Sequence, residues 1–158
     1  MLTTARTTLE PLTADHAEEM APLLDDPALY AFTGGRPLGL DELRRRYERL
    51  ARGHSSERWL NWIVRRQASG EPVGTVQATV RGGVAELAWV IAVPYQGHGY
   101  ATEAAAAMAV WLREQGVAVL AANIAPGHEA SARVARALGL APSDELVEGE
   151  VRWLSAGG

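Results

Sequence analysis

The spacing of apolar and polar residues changes several times along this chain, and each change predicts an element. Residues 5–12 ("ARTTLEPL") read as a strand, and Thr13 is placed to cap a helix running to about Leu24, where "DDP" ends it. A loop carrying Tyr30, Phe32 and Gly34-Gly35 follows. Leu40, Leu43, Tyr47 and Leu50 then recur three or four residues apart, which predicts an amphipathic helix from about Leu40 to Arg52 with Gly53 as its stop. "RWLNWIVRR" predicts a strand with Leu60, Trp62 and Val64 on one face; "SGEP" is a turn, and "VGTVQATVR" is the next strand. Gly82-Gly83 predicts a tight hairpin into "VAELAWVIAV". Beyond it come a helix from about Thr102 to Gln115, the strand "VAVLAANI", a helix over 129–138 stopped by Gly139, and the closing strand "EGEVRWLS".

The order is therefore strand, two helices, three antiparallel strands, helix, strand, helix, strand. It predicts an α+β fold, a mixed and mostly antiparallel central sheet flanked by about four helices, and not the strict alternation of a doubly wound dinucleotide fold. No repeat or low-complexity linker divides the chain, so residues 1–158 are expected to form a single domain. A chain of this length buries roughly 70% of its unfolded surface, enough for a real core.

Composition narrows the chemistry. Cysteine is absent, which removes disulfides and thiolate metal sites, and the 4 histidines are scattered, so no metal centre is expected. All 15 cations are arginine, which removes a Walker lysine and a Schiff-base lysine. Arg44, Arg45, Arg46, Arg49 and Arg52 form a cluster, but they share a helix face with Asp41, Glu42 and Glu48, and the net charge is −4. A solvated face accounts for them better than a nucleic-acid surface. The N-terminus lacks the pattern of a signal peptide, and no apolar run of about 18 residues could span a bilayer. The expectation is a soluble cytoplasmic protein with no nucleic-acid or membrane partner.

The segment "VPYQGHGYATEAAAA" (residues 93–107) joins a buried strand to a helix through two glycines. A helix start presents unpaired N–H groups and partial positive charge, and glycine lets a ligand approach without meeting a Cβ. That combination suits phosphate, although a tight turn with no ligand has the same local appearance. The dinucleotide fingerprint fails, because Gly97 and Gly99 are followed by Thr102 and "GVAVL" supplies no acidic residue downstream.

The run Gln96-Gly97-His98-Gly99-Tyr100-Ala101 resembles the Q/R-x-x-G-x-G/A motif of the GCN5-related N-acetyltransferases (GNAT). The surroundings extend the likeness. "AELAWVIAVPYQGHGYATEA", "ANIAPGHEASARVARALGL" and the opening "TARTTLEPLTADHAEEMAPLL" resemble the branch that includes the ribosomal-protein N-terminal acetyltransferases. Nearly the whole chain is covered. The resemblance implies acetyl-CoA as cosubstrate, with its pyrophosphate on the loop from Gln96, Gly97, His98 and Gly99 to Tyr100, Ala101 and Thr102. It also implies that the strand at 86–92 splays from the one at 117–124, and that pantetheine lies in the gap against the backbone of Val90, Ile91, Ala92 and Val93. A primary-amine acceptor follows, protein N-terminus or small molecule, and a homodimer is common among relatives. A sensor that binds acyl-CoA without turnover is the alternative.

Two departures stand out. His128 occupies the asparagine position of the family's N-x-x-S segment, where a cofactor contact is expected, and Leu140 replaces an aromatic. The tyrosines are Tyr30, Tyr47, Tyr95 and Tyr100, so none follows the last helix to act as a general acid, as one does in many relatives. Ser131, at the family's serine position, is the candidate to touch the cofactor or protonate the thiolate; a local helix bond is the other reading. Glu86 is the candidate base, because it is the only charged residue in "VAELAWVIAV" and apolar surroundings favour the neutral acid. A solvent-facing or salt-bridged carboxylate is its alternative. Tyr30, Phe32, Trp59, Asn61 and Trp62 are candidates for an acceptor pocket, with core packing as the alternative for the aromatics.

Overall fold

The structure is a computed structural model and describes residues 1–156. Its strands are β1 (Leu2–Thr3), β2 (Thr7–Pro11), β3 (Arg58–Arg66), β4 (Pro72–Arg81), β5 (Val84–Ile91), β6 (Val119–Ile124), β7 (Ala141–Val147) and β8 (Glu150–Leu154). The helices are α1 (Ala17–Leu23), α2 (Leu40–Arg52), α3 (Tyr100–Glu114) and α4 (Glu129–Ala137). Among the described residues one sheet holds the strands in the order β1-β2-β3-β4-β5-β6-β8-β7, and only the β5–β6 pair is parallel.

The bounds of α2 and β3 coincide with those the apolar spacing predicts. The first helix begins as a 3-10 turn, Ala14–His16, in which the backbone N–H of Thr13 donates to Nδ1 of His16 at 3.0 Å. Two strands were not anticipated. β1 is a two-residue pairing against β2, and β7 is an edge strand exposed on both faces, so it lacks apolar alternation.

The sheet buries both faces. Val64, Val76, Ala78, Leu87 and Leu120 pack under α3 and α4 with Met108, Leu112 and Ala135. On the other face Ile63 packs with Met20 of α1 and with Leu43 and Tyr47 of α2. At about 25 cal/mol per Å² of apolar surface, these two layers supply the main folding drive. α1 is tied down by Arg65, whose guanidinium donates to Glu10 at 3.0 Å and also reaches Glu19.

β5 positions the site. It pairs with β6 only over Val84–Glu86 against Val119–Ala121, then stays with β4 as far as Gly74 opposite Ile91. β6 meanwhile pairs with β8 through Ala121–Ile124. The two central strands therefore part beyond Glu86 and leave a gap. Gly74 permits the close approach of β4 to β5 beside that gap: a Cβ there would lie 2.0 Å from the Val90 carbonyl oxygen.

Candidate active site

The gap opens into a cleft of about 830 Å³, within the size range of ligand pockets. One wall is Trp89, Val90 and Ile91 of β5 with the corner that follows. Gln96 folds back, and its Nε2 donates to the Ile91 carbonyl at 2.9 Å, fixing the corner to the strand end. Gly97 and Gly99 both take positive φ, +81° and +82°, and a Cβ on Gly97 would meet nothing within 4 Å. Gly99 is the left-handed N-cap of α3, so the helix starts at Tyr100, two residues before the predicted start. Among the described residues the N–H groups of Gly97, Gly99, Tyr100 and Ala101 have no hydrogen-bond partner. Four free donors at a helix start, with open space where a Gly97 Cβ would be and only the tip of the Arg6 side chain, at 3.4 Å, beside a Gly99 Cβ, fit a diphosphate.

The facing wall comes from the segment between α1 and α2 and from α2 itself. Tyr30, Phe32, Arg36, Arg46 and Tyr47 line it, with Asn61, Thr75 and Gln77 from the sheet below. Burial raises the Tyr30 phenol and pushes that of Tyr47 up to about 12, so both are neutral donors at ordinary pH. The Tyr47 hydroxyl is buried without a partner among the described residues. A third side is α4 with its N-cap residue, contributing His128, Ser131 and Arg133.

His128 touches two of these walls. Its ring stacks on Phe32 with centroids 4.2 Å apart and planes 11° from parallel, and its Nε2 lies 3.1 Å from Ser131 Oγ. Burial lowers the His128 pKa, with nearby Glu150 opposing more weakly. Among the described residues, Glu150 is the one carboxylate lining the cleft.

The candidates named from sequence are thus partly brought together. Val90, Ile91, Gln96, Gly97, Gly99, Tyr100, Ala101, Thr102, His128, Ser131, Tyr30, Phe32 and Asn61 line the cleft; Ala92, Val93, His98, Glu86, Trp59 and Trp62 do not. The Ala92 N–H is already bonded to the Val73 carbonyl at 2.8 Å. Glu86 is not isolated: Arg152 Nη1 of β8 donates to it at 2.8 Å, across β6. Trp59 and Trp62 line a smaller hollow near the N-terminus with Trp111, and Trp62 meets Trp111 edge-on at 5.7 Å. Alternation turns Trp62 to the α3 face and Asn61 to the cleft. Sequence reading did not place Trp89, Arg46, Tyr47 or Glu150 at the site. For Arg46 and Tyr47 the signal was available, since they sit on adjoining faces of a helix already drawn.

The sequence profile of the acetyltransferase (GNAT) domain matches residues 6–141. The chain belongs to this family. A search of curated proteins finds no match. Among solved structures, the GNAT chain resembles the microcin C7 self-immunity acetyltransferase MccE bound to acetyl-CoA and AMP, with TM-score 0.80, 14% identity and coverage of 96% of this chain and 92% of that one. It resembles the aminoglycoside acetyltransferase AAC(6')-Ib bound to ribostamycin and coenzyme A, with TM-score 0.76, 19% identity and coverage of 94% and 92%. It also resembles a candidate ribosomal-protein-serine acetyltransferase from Vibrio cholerae, with TM-score 0.76, 20% identity and coverage of 97% and 95%. At these identities the likeness establishes the fold, and the cofactors in the neighbours agree with acetyl-CoA as cosubstrate. No helix among the described residues is long and apolar enough to cross a membrane.

Proposed function

We propose that this protein transfers the acetyl group of acetyl-CoA to a primary amine by direct attack of the amine on the thioester. The observation that carries the reading is the corner at Gly97–Ala101, whose free N–H groups open onto the gap between β5 and β6. The pyrophosphate takes those donors, and the pantetheine arm runs along Trp89, Val90 and Ile91. The acceptor enters from the Tyr30, Phe32 and Tyr47 side. A main-chain donor of β5 facing the gap stabilises the charge that develops on the carbonyl oxygen.

Glu86 takes a supporting part in this account. Its ion pair with Arg152 bridges from β5 to β8 where β5 and β6 separate, and so holds the mouth of the gap. The neighbours named above differ in what they acetylate, and one fold carries many acceptors. The motif resemblance to the ribosomal-protein branch supports putting a protein N-terminus first among the acceptors to be tried.

The test is a panel of acceptors with acetyl-CoA: peptides with free N-termini, amino acids, small amines and aminoglycosides, with hydroxyl compounds as controls. Release of free coenzyme A thiol dependent on a primary amine is expected, at a rate that rises with pH and then levels as the amine becomes neutral. Turnover of hydroxyl acceptors alone contradicts the reading. Tight coenzyme A binding with no thiol release from any acceptor favours the acyl-CoA sensor.

A further inference from the structure

Amide formation on this reading releases one proton from nitrogen and needs one at sulfur, and the tyrosine that many relatives use is missing. The cleft contains a pair that can do both. Ser131 Oγ and His128 Nε2 are 3.1 Å apart, both side chains line the cleft, and the stack on Phe32 fixes the imidazole plane. We propose that Ser131 and His128 form a proton relay that takes the proton from the attacking amine and returns it to the departing sulfur.

The step balances as follows. The amine nitrogen forms a bond to the acetyl carbon, and the C–S bond breaks with its electron pair going to sulfur. The proton shed by nitrogen passes to Ser131 Oγ as the serine hydroxyl proton passes to His128 Nε2. The same path in reverse delivers that proton to the thiolate, so both side chains end as they began and the products are the acetamide and free coenzyme A. His128 must begin neutral, with its proton on Nδ1 and Nε2 accepting from the serine. Burial favours that neutral state. The charged group acting on the ring is Glu150 of β8, which steadies the transient imidazolium; Arg133 of α4 also lines the cleft. Glu129, next in the chain, is turned to Arg136 at 3.8 Å.

The relay rests on the acetylation reading, and its test separates the two. In the unliganded protein, the ¹⁵N resonances of His128 near neutral pH should show an unprotonated Nε2, and Ser131→Ala should shift that resonance. A protonated Nε2 in the wild type overturns the relay whatever the enzyme acetylates. In turnover of an amine taken from the panel, His128→Asn should lower kcat about 10²-fold, a usual size for acid–base help, and should abolish an inflection of the kcat profile below pH 6.5. Ser131→Ala should match it, and the double variant should be no worse than either alone. Calorimetric coenzyme A binding confirms that each variant is folded, with His128→Gln as the replacement if His128→Asn is not. An unchanged kcat with the inflection retained, or fully additive losses, overturns the relay and leaves the acetylation reading intact. If the wild type turns over no amine, the acetylation reading fails and the relay with it.

Discussion

The wall of the cleft made by β5, the glycine corner and α3 is built from backbone, whereas the wall made by the α1–α2 segment and α2 is built from side chains. On the first, the functional groups are N–H donors, placed by positive φ at Gly97 and Gly99 and held by the Gln96 bond to Ile91. On the second they are two phenols, two guanidiniums and an aromatic ring, resting on the small cluster of Met20, Leu43, Tyr47 and Ile63. On the proposed reading, the backbone wall takes what every acetyl-CoA shares, and many side chains beside it are free to vary. A side-chain wall can change with the acceptor while the sheet stays put.

Damage to the backbone wall should therefore be costly and general. Gly74→Ala is the largest expected effect. Its Cβ would sit 2.0 Å from the Val90 oxygen and 2.9 Å from the Ile91 Cα, both main-chain atoms, so β4 and β5 must separate. A loss of about 3 kcal/mol or more in denaturant unfolding is expected, with coenzyme A binding weakened in whatever fraction remains folded. Wild-type stability would remove the close approach from the account.

The ion pairs that tie α1 to the sheet, beneath the side-chain wall, should yield to acid. Glu10 accepts from Arg65, and that hydrogen bond, against an opposing desolvation, holds its carboxyl below the ordinary 4.5. A depressed folded pKa contributes stability that is present above the unfolded value and lost as pH falls through the folded one. Unfolding midpoints should accordingly drop below about pH 4.5. Arg65→Ala should cost about 1–2 kcal/mol at neutral pH and flatten that acid limb. An acid limb equally steep in the variant would place the pH sensitivity elsewhere.

The same division governs what was legible beforehand. Backbone needs are written in residue type: only glycine is comfortable at the φ of residues 97 and 99, so the corner could be read directly. The stripe Leu40, Leu43, Tyr47 and Leu50 gave α2 for the same kind of reason, one residue type at one period. Side-chain encounters are set by register and are written nowhere locally. Arg152 meets Glu86 because β6 brings β5 and β8 within reach, a contact spanning 66 positions of sequence. Phe32 meets His128 because an irregular segment crosses the cleft mouth to α4. β7 escaped because both its faces are wet, and Gly74 escaped because its reason is a main-chain neighbour on another strand.

The claim that the glycine corner holds the cofactor is tested most directly by calorimetric titration of coenzyme A into Gly99→Val beside the wild type. A valine at φ +82° is strained, and its branched side chain would occupy space at the free N–H groups, while the nearest protein atom to its Cβ is only the tip of Arg6, at 3.4 Å. The account predicts an affinity lowered at least about ten-fold in a protein that still unfolds cooperatively. An undiminished affinity in that variant would contradict it.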